Sequence, residues 1–276
     1  MQFAKMEGLS NDFIVTHGMT DHEVNAIISQ VPRLCHRRQG IGADGVILVL
    51  PPTSQAGDFR MRIFNTDGSE PEMCGNGVRC MALYVYLVGL SEKRELVIDT
   101  LAGPIRTTLE GDDVRVNMGC PRLDASQIPV TKESGRVVSE PVTVDGRTFQ
   151  VTAVSMGNPH AVIYADQLTD ELVQVYGPRL EQHPFFPQHA NVEFVKVLSE
   201  QAIQMRVYER GCGETAACGT GACAAVVAGV LNQKHGHAVM VRLPDGELSI
   251  EWDGALDHPV YMTGPARWVF AGAIEL

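Results

Sequence analysis

Nowhere in its 276 residues does the chain run apolar for the ~20 positions a membrane-spanning helix needs. Its opening stretch, MQFAKMEGLSNDF, lacks the basic-then-apolar order of a secretory signal. Both absences point to a soluble cytoplasmic protein. Clustered positive charge is missing as well: 22 Lys and Arg stand against 33 Asp and Glu, a formal charge of -11, and the densest basic group is Arg33 to Arg38. Nucleic acid, whose phosphates need a basic face, is therefore disfavoured as a partner. Disulfide staples are not called for either. Seven cysteines form an odd set in a chain too large to depend on such cross-links, and reduced thiols are the expectation. What remains is a globular composition, 45% hydrophobic and 20% charged, with length enough for two domains.

One pattern stands out within that composition. Residues 61 to 77 read MRIFNTDGSEPEMCGNG and residues 205 to 221 read MRVYERGCGETAACGTG, aligned without a gap. Met61/Met205, Arg62/Arg206, Glu70/Glu214, Cys74/Cys218, Gly75/Gly219 and Gly77/Gly221 are identical pairs, and Ile63/Val207 and Phe64/Tyr208 are conservative ones. Flanking segments recur in the same order. Asn11 opens NDFIVT as Asn158 opens NPHAVIY, a helical pattern at 21–31 matches one at 170–182, and GVILVL matches VEFVKV. Short strands are expected near 12–16, 45–50, 59–65, 95–100, 104–109 and 113–118 in the first half. In the second half they are expected near 141–144, 148–155, 160–164, 192–198, 202–209, 238–243, 247–252, 259–263 and 266–272. Two further helices are expected at 76–88 and 220–232. A duplicated α+β unit accounts for this order, with the Pro- and Ser-containing stretch 121–140 as the natural hinge between halves.

Each Cys-Gly-x-Gly precedes a run of small and apolar residues, VRCMALYVYLV and ACAAVVAGVL. The second run is apolar nearly all round and should form a buried helix. Each cysteine would then sit at a helix start, where N–H groups without intrahelical partners and the helix dipole favour negative charge and lower a thiol pKa. The glycines would let those N–H groups turn toward a bound anion. If the halves face each other, two thiols flank the α-carbon of one carboxylate. That is the geometry of a racemase, in which one thiolate removes a proton and the other thiol supplies one to the opposite face. Cys80 and Cys223, deeper in the helices, read as packing residues, as do Cys35 and Cys120. A zinc site from Cys74, Cys80, Cys218 and Cys223 is the metal alternative, although it gives no reason for the glycines. A Cys74–Cys218 disulfide would be an oxidised, inactive form.

The segments KMEGLSNDF, GIGADG, FNTDGSEPEMCGNGVRC, MGNPH, HANVEF and YERGCGETAACGTGACA, spread over positions 5 to 224, resemble the diaminopimelate epimerase family. The resemblance implies an α+β fold of two pseudo-symmetric domains, each a mixed or antiparallel sheet wrapped around a central helix, covering 1–118 plus 263–276 and 119–262. It implies a cofactor-independent, metal-free interconversion of LL- and meso-2,6-diaminopimelate on the route to lysine and peptidoglycan, carried out by a homodimer. By position, Cys74 and Cys218 match the acid/base pair, and His160 and Glu209 the groups that assist them. Gly75, Asn76, Gly219 and Thr220 would offer N–H groups to the reacting carboxylate. Asn11, Asn65, Asn158, Asn191, Glu209 and Arg210 would hold the distal amino-acid end. Arg210 can grip a carboxylate as a planar fork, and Glu209 can accept from an ammonium. Glu70 and Glu214 are read as caps of the cysteine loops, outside the catalytic set. Ser10 stands where the family commonly has Gly, and Cys212 is an extra thiol.

Proline and hydroxyproline racemases are the nearest competing enzymes, but their substrates have no distal amino-acid end to engage Arg210, Glu209 and the asparagines. Isomerases resembling phenazine-biosynthesis enzymes share the fold without the paired cysteines. A thiol-rich amino-acid-binding or redox module would explain a cleft without turnover.

Overall fold

A computed structural model describes residues 1–18 and 20–276. Along the chain lie β1 (Gln2–Gly8), β2 (Asn11–His17), α1 (Asp21–Cys35), β3 (Gly45–Leu50), β4 (Phe59–Asn65), α2 (Gly75–Leu87), β5 (Glu95–Thr100), β6 (Gly103–Glu110) and β7 (Asp113–Asn117). Next come β8 (Glu140–Val144), β9 (Arg147–Ser155), β10 (Pro159–Tyr164), α3 (Gly177–Glu181), β11 (Asn191–Ser199), β12 (Ala202–Glu209), β13 (Gly213–Thr215) and α4 (Gly219–Leu231). The chain closes with β14 (Ala238–Leu243), β15 (Gly246–Glu251), β16 (Tyr261–Pro265) and β17 (Arg267–Ala273). Two compact units result, Met1–Asn117 with Thr263–Leu276, and Met118–Met262.

In the first unit β17 and β1 pair antiparallel, and β1 to β6 then pair in succession as antiparallel, parallel, antiparallel, parallel, antiparallel. In the second unit β8 and β9 pair antiparallel, and β9, β10, β11, β12, β14 and β15 repeat that alternation. The mixed order follows from the period-2 strands joined alternately by tight hairpins and by helical crossovers. Each sheet curls about one helix. α2 touches β1, β2, β3, β4, β6, β7 and β17, and α4 touches β9, β10, β11, β12 and β15. α4 is buried from Gly221 to Gly229, as its all-round apolar sequence requires. The duplication is therefore architectural, not only a repeated motif.

Several sequence expectations change. β1 was not foreseen, because QFAKMEG shows no alternation: Phe3, Ala4, Lys5 and Met6 are all buried, with Lys5 held by Asp12 at 2.7 Å. The short β13, paired with β12, was also missed. The helix expected at 170–182 is a six-residue π turn, Glu171–Tyr176, leading into α3. Pro178 has no N–H for the bond a continuous α-helix would need there. The stretch 121–140 is no hinge. Leu123, Ala125, Ile128 and Val137 are buried, Arg122 and Ser155 exchange main-chain bonds at 2.9 and 3.0 Å, and Thr131 N donates to Phe185 O. Its prolines and serines mark turns inside the second unit. Finally, the strand match shifts by one residue. Phe13 faces Gly45 as His160 faces Asn191, so GVILVL corresponds to NVEFVK, and Ile47 to Glu193. A one-residue slip exchanges the faces of a strand, so this correction decides which side chains point at the helix.

Candidate active site

Cys74 and Cys218 are the residues immediately before α2 and α4, both in extended backbone conformation (φ -140° and -127°), so Gly75 and Gly219 open the helices. The third residue of each helix is the second glycine of the motif, and close approach explains it. A Cβ at Gly221 would lie 2.8 Å from Glu193 Oε1 and 3.3 Å from Cys218 Sγ; one at Gly77 would lie 3.0 and 3.2 Å from the Cδ1 atoms of Ile63 and Ile47. At both helix ends the N–H groups of the first turn point out of the helix toward the cysteine side, a setting that favours a bound carboxylate.

In the first unit, Asn11 opens β2 beside the thiol. Its Oδ1 accepts from Asn76 Nδ2 at 3.2 Å and faces Cys74 Sγ at 3.8 Å, while its Nδ2 donates to Asp44 Oδ2 at 2.9 Å. Asp44 and Asp12 are both gripped by Arg37, and Lys5 also binds Asp12. The two-residue turn before Asn11 has Leu9 and Ser10 at φ 55° and 61°. Ser10 thus adopts the left-handed conformation that glycine takes most readily, and its N–H is held by Glu7 Oε2. Asn65, at the end of β4, is exposed and bonds to Ser69 Oγ at 3.0 Å; no bond joins it to the Cys74 group among the described residues.

In the second unit a hydrogen-bonded chain runs to the other thiol. Glu193 Oε1 lies 2.7 Å from His160 Nδ1, His160 Nε2 lies 2.9 Å from Asn158 Oδ1, Asn158 Nδ2 donates to Thr220 Oγ1 at 3.3 Å, and Thr220 Oγ1 lies 3.6 Å from Cys218 Sγ. Glu193 and His160 are fully buried. Asn191 uses its amide on main chain, donating to Pro159 O at 3.0 Å and accepting from Arg210 N at 3.0 Å, and so fixes the start of β10 and the Glu209–Arg210 segment. The Arg210 guanidinium is exposed and donates to Gln188 O, and Glu209 Oε1 accepts from Thr215 Oγ1.

The expectation that a helix start lowers the thiol pKa does not hold for Cys218. Burial pushes this thiol well above its ordinary range; Glu209 and then Glu193 push it further, and the opposing pull of Thr220 and the Gly221 N–H is weaker. At neutral pH Cys218 is a thiol. Cys80 and Cys35 are raised by burial too, Cys35 to about 11, and both are inert packing residues. Cys120 is exposed, with its Sγ 3.3 Å from Asp257 O, and does not pack in the core as expected. Nor do Glu70 and Glu214 cap the cysteine loops. They form matching two-pronged ion pairs, Glu70 with Arg62 at 2.7 to 2.8 Å and Glu214 with Arg206 at 2.7 to 3.1 Å. Those pairs explain why both arginines and both glutamates recur in the repeat. The residue that sequence reasoning missed is Glu193. Its signal was present, an acid inside the strand VEFVKV where the other copy has an apolar residue.

Comparison with known proteins supplies the context. The chain matches the family described as Diaminopimelate epimerase over residues 3–123 and 152–269. It is 52% identical over 281 residues to the diaminopimelate epimerase of Moorella thermoacetica, covering all of both chains. To that of Desulforudis audaxviator it is 53% identical over 277 residues, covering 99% of this chain and 98% of the other. Among solved structures, a probable proline racemase from Agrobacterium radiobacter superposes with a TM-score of 0.70 at 18% identity, covering 100% of this chain and 93% of that one. A Bacillus anthracis phenazine biosynthesis protein of the PhzF family superposes with a TM-score of 0.63 at 16% identity, covering 99% of each. At such identities these two establish a shared fold.

Proposed function

From the premise that this chain belongs to the diaminopimelate epimerase family, we propose that it interconverts LL- and meso-2,6-diaminopimelate without a cofactor, with Cys74 and Cys218 as the two acid/base groups. The observation that carries this reading is the pair of thiols placed alike at the starts of the central helices of two units with the same strand order. Abstraction of an α-proton leaves negative charge that spreads into the adjacent carboxylate. N–H groups of Gly75, Asn76, Gly219 and Thr220, aided by the helix dipoles, stabilise that charge. Because Cys218 rests as a thiol, it is the donor in the direction that begins with a Cys74 thiolate; the reverse direction exchanges the roles. Glu209 disfavours the charged form of Cys218, and His160 assists through the hydrogen-bonded chain that reaches it by way of Asn158 and Thr220. Arg210, with Glu209, Asn11, Asn65, Asn158 and Asn191, holds the distal amino and carboxylate groups. This demand separates diaminopimelate from proline, which has no distal end.

Further parts of the reading rest on their own observations. Seven cysteines, with no disulfide among the described residues, suit a reducing cytoplasm, where lysine and peptidoglycan precursors are made. A homodimer is supported by β17, on which Trp268, Val269 and Phe270 are all exposed, an apolar strand that a second copy could cover. Incubating the enzyme with LL-diaminopimelate, with and without exhaustive chelation, and separating the stereoisomers tests the activity. Equal formation of the meso isomer in both samples is expected. No meso product, or product only after zinc is restored, would overturn the reading.

A further inference from the structure

We propose that Glu193 is a positioning residue for proton transfer at Cys218: from β11 it anchors His160 and places a carboxylate against the sulfur across the gap left by Gly221. The inference rests on the reading of Cys218 as an acid/base group. The fold contains its own comparison. The strand ladders make Ile47 the equivalent of Glu193 and Phe13 the equivalent of His160. At Gly77 an added Cβ would meet Ile47 Cδ1 at 3.2 Å, and at Gly221 it would meet Glu193 Oε1 at 2.8 Å. The same pocket wall is thus apolar behind one thiol and acidic behind the other. Packing does not need an acid here, since isoleucine fills the equivalent place. The Glu193 side chain is fully buried and its Oε2 has no hydrogen-bonding partner among the described residues, an arrangement that is costly for stability alone.

The buried acid has two effects on the site. The first is orientation. Because Asn158 Oδ1 can only accept, His160 Nε2 carries the hydrogen of the bond between them, and Nδ1 on the other side of the ring is held by Glu193 Oε1. The Asn158 amide must then turn its NH2 to Thr220 Oγ1, which leaves the Thr220 hydroxyl hydrogen to be offered to Cys218 Sγ. The second is charge. Of the elements packed on α4, β11 brings Glu193 and β12 brings Glu209, both of which disfavour the thiolate, and β10 brings His160. From β9 the charged residue is Arg147, stacked over Phe149 and Tyr176, and β15 carries Glu247, paired with Arg242, and Glu251. Glu193 therefore helps keep Cys218 a thiol while the chain it anchors keeps one donor ready for the thiolate.

The test is a titration of the protein labelled with 13C at cysteine Cβ, followed by NMR for the parent, Glu193→Gln and Glu193→Asp. Gln can still donate to His160 Nδ1, so the amide orientation survives while the acid is lost. The expected result is a Cys218 midpoint lower by ~1 pH unit in the Gln variant and by less in the Asp variant, with Cys120 and Cys223 keeping their folded positions. Should the Gln variant lose those folded signals, the Asp variant carries the same comparison. The alkaline limb of kcat/KM in the direction where Cys218 donates should fall by the same amount. A Cys218 midpoint unchanged from the parent overturns the link to Glu193. A midpoint that moves while the kcat/KM limb stays fixed overturns instead the donor role of Cys218, and the positioning role with it.

Discussion

Gly221→Ala should damage the surroundings of Cys218 far more than Gly77→Ala damages those of Cys74, although the two positions are equivalent. Both are third residues of buried helices and neither has a positive φ, so alanine gains up to ~1 kcal/mol of helix propensity at each. At Gly77 the new methyl meets the flexible ends of Ile63 and Ile47 at 3.0 and 3.2 Å, which can yield by a few tenths of an ångström. Overpacking of ~1 kcal/mol would cancel the gain, and Tm should stay near the parent value. At Gly221 the methyl enters between Glu193 Oε1 at 2.8 Å and Cys218 Sγ at 3.3 Å. To relieve it, the carboxylate must withdraw from His160 or the sulfur must move. Strain and a weakened buried pair together should cost ~2–3 kcal/mol net, or roughly 4–12 °C in Tm for a unit of this size. Displacement of the sulfur should lower kcat by ~10- to 100-fold. Thermal melts and initial rates on LL-diaminopimelate check both numbers. Equal behaviour of the two variants would refute the argument that the second glycine of each motif serves a different neighbour.

Arg210→Lys keeps the charge but loses the planar fork, and kcat/KM for LL-diaminopimelate should fall by ~100-fold while α-proton exchange with solvent persists; parent-like kinetics would remove the distal clamp. The Asp12 network predicts acid sensitivity. Burial alone would raise the Asp12 carboxyl, but the bonds and charges of Arg37 and Lys5 outweigh it and bring it to about 2. A carboxylate depressed in the folded state contributes stability above its unfolded pKa that is lost as pH falls through the folded value. Roughly 2 kcal/mol should therefore disappear between about pH 4 and pH 2. Urea melts across that range should show the loss in the parent and a smaller one in Arg37→Ala; equal losses would contradict the assignment.

How much of this was legible in sequence depended on whether the signal was local. The helices after Cys74 and Cys218 could be read from glycine placement and apolar runs, because both are set by residues within one turn. The repeated Arg62–Glu70 and Arg206–Glu214 identities were visible too, yet their meaning was not. An ion pair across a strand and a turn has no periodicity, and a glutamate before a glycine motif reads equally well as a cap. β1 escaped because a strand buried on both faces shows no alternation, and its Lys5 is neutralised by Asp12 rather than by solvent. The stretch 121–140 misled because proline and serine mark turns, whether or not a domain ends there. Glu193 was hidden for a similar reason. In a strand pattern an acid suggests the solvent face, and only the ladder register shows it turned inward at the position equivalent to Ile47.

The central claim, proton transfer by two thiols on opposite faces, is tested most directly by the isotope pattern at low conversion in deuterated water. Starting from LL-diaminopimelate, the account predicts meso product carrying solvent deuterium at the inverted carbon while recovered LL substrate keeps its proton, and it predicts that Cys74→Ser and Cys218→Ser each abolish that product. Product that retains the original proton, or either serine variant epimerising at the parent rate, would contradict it.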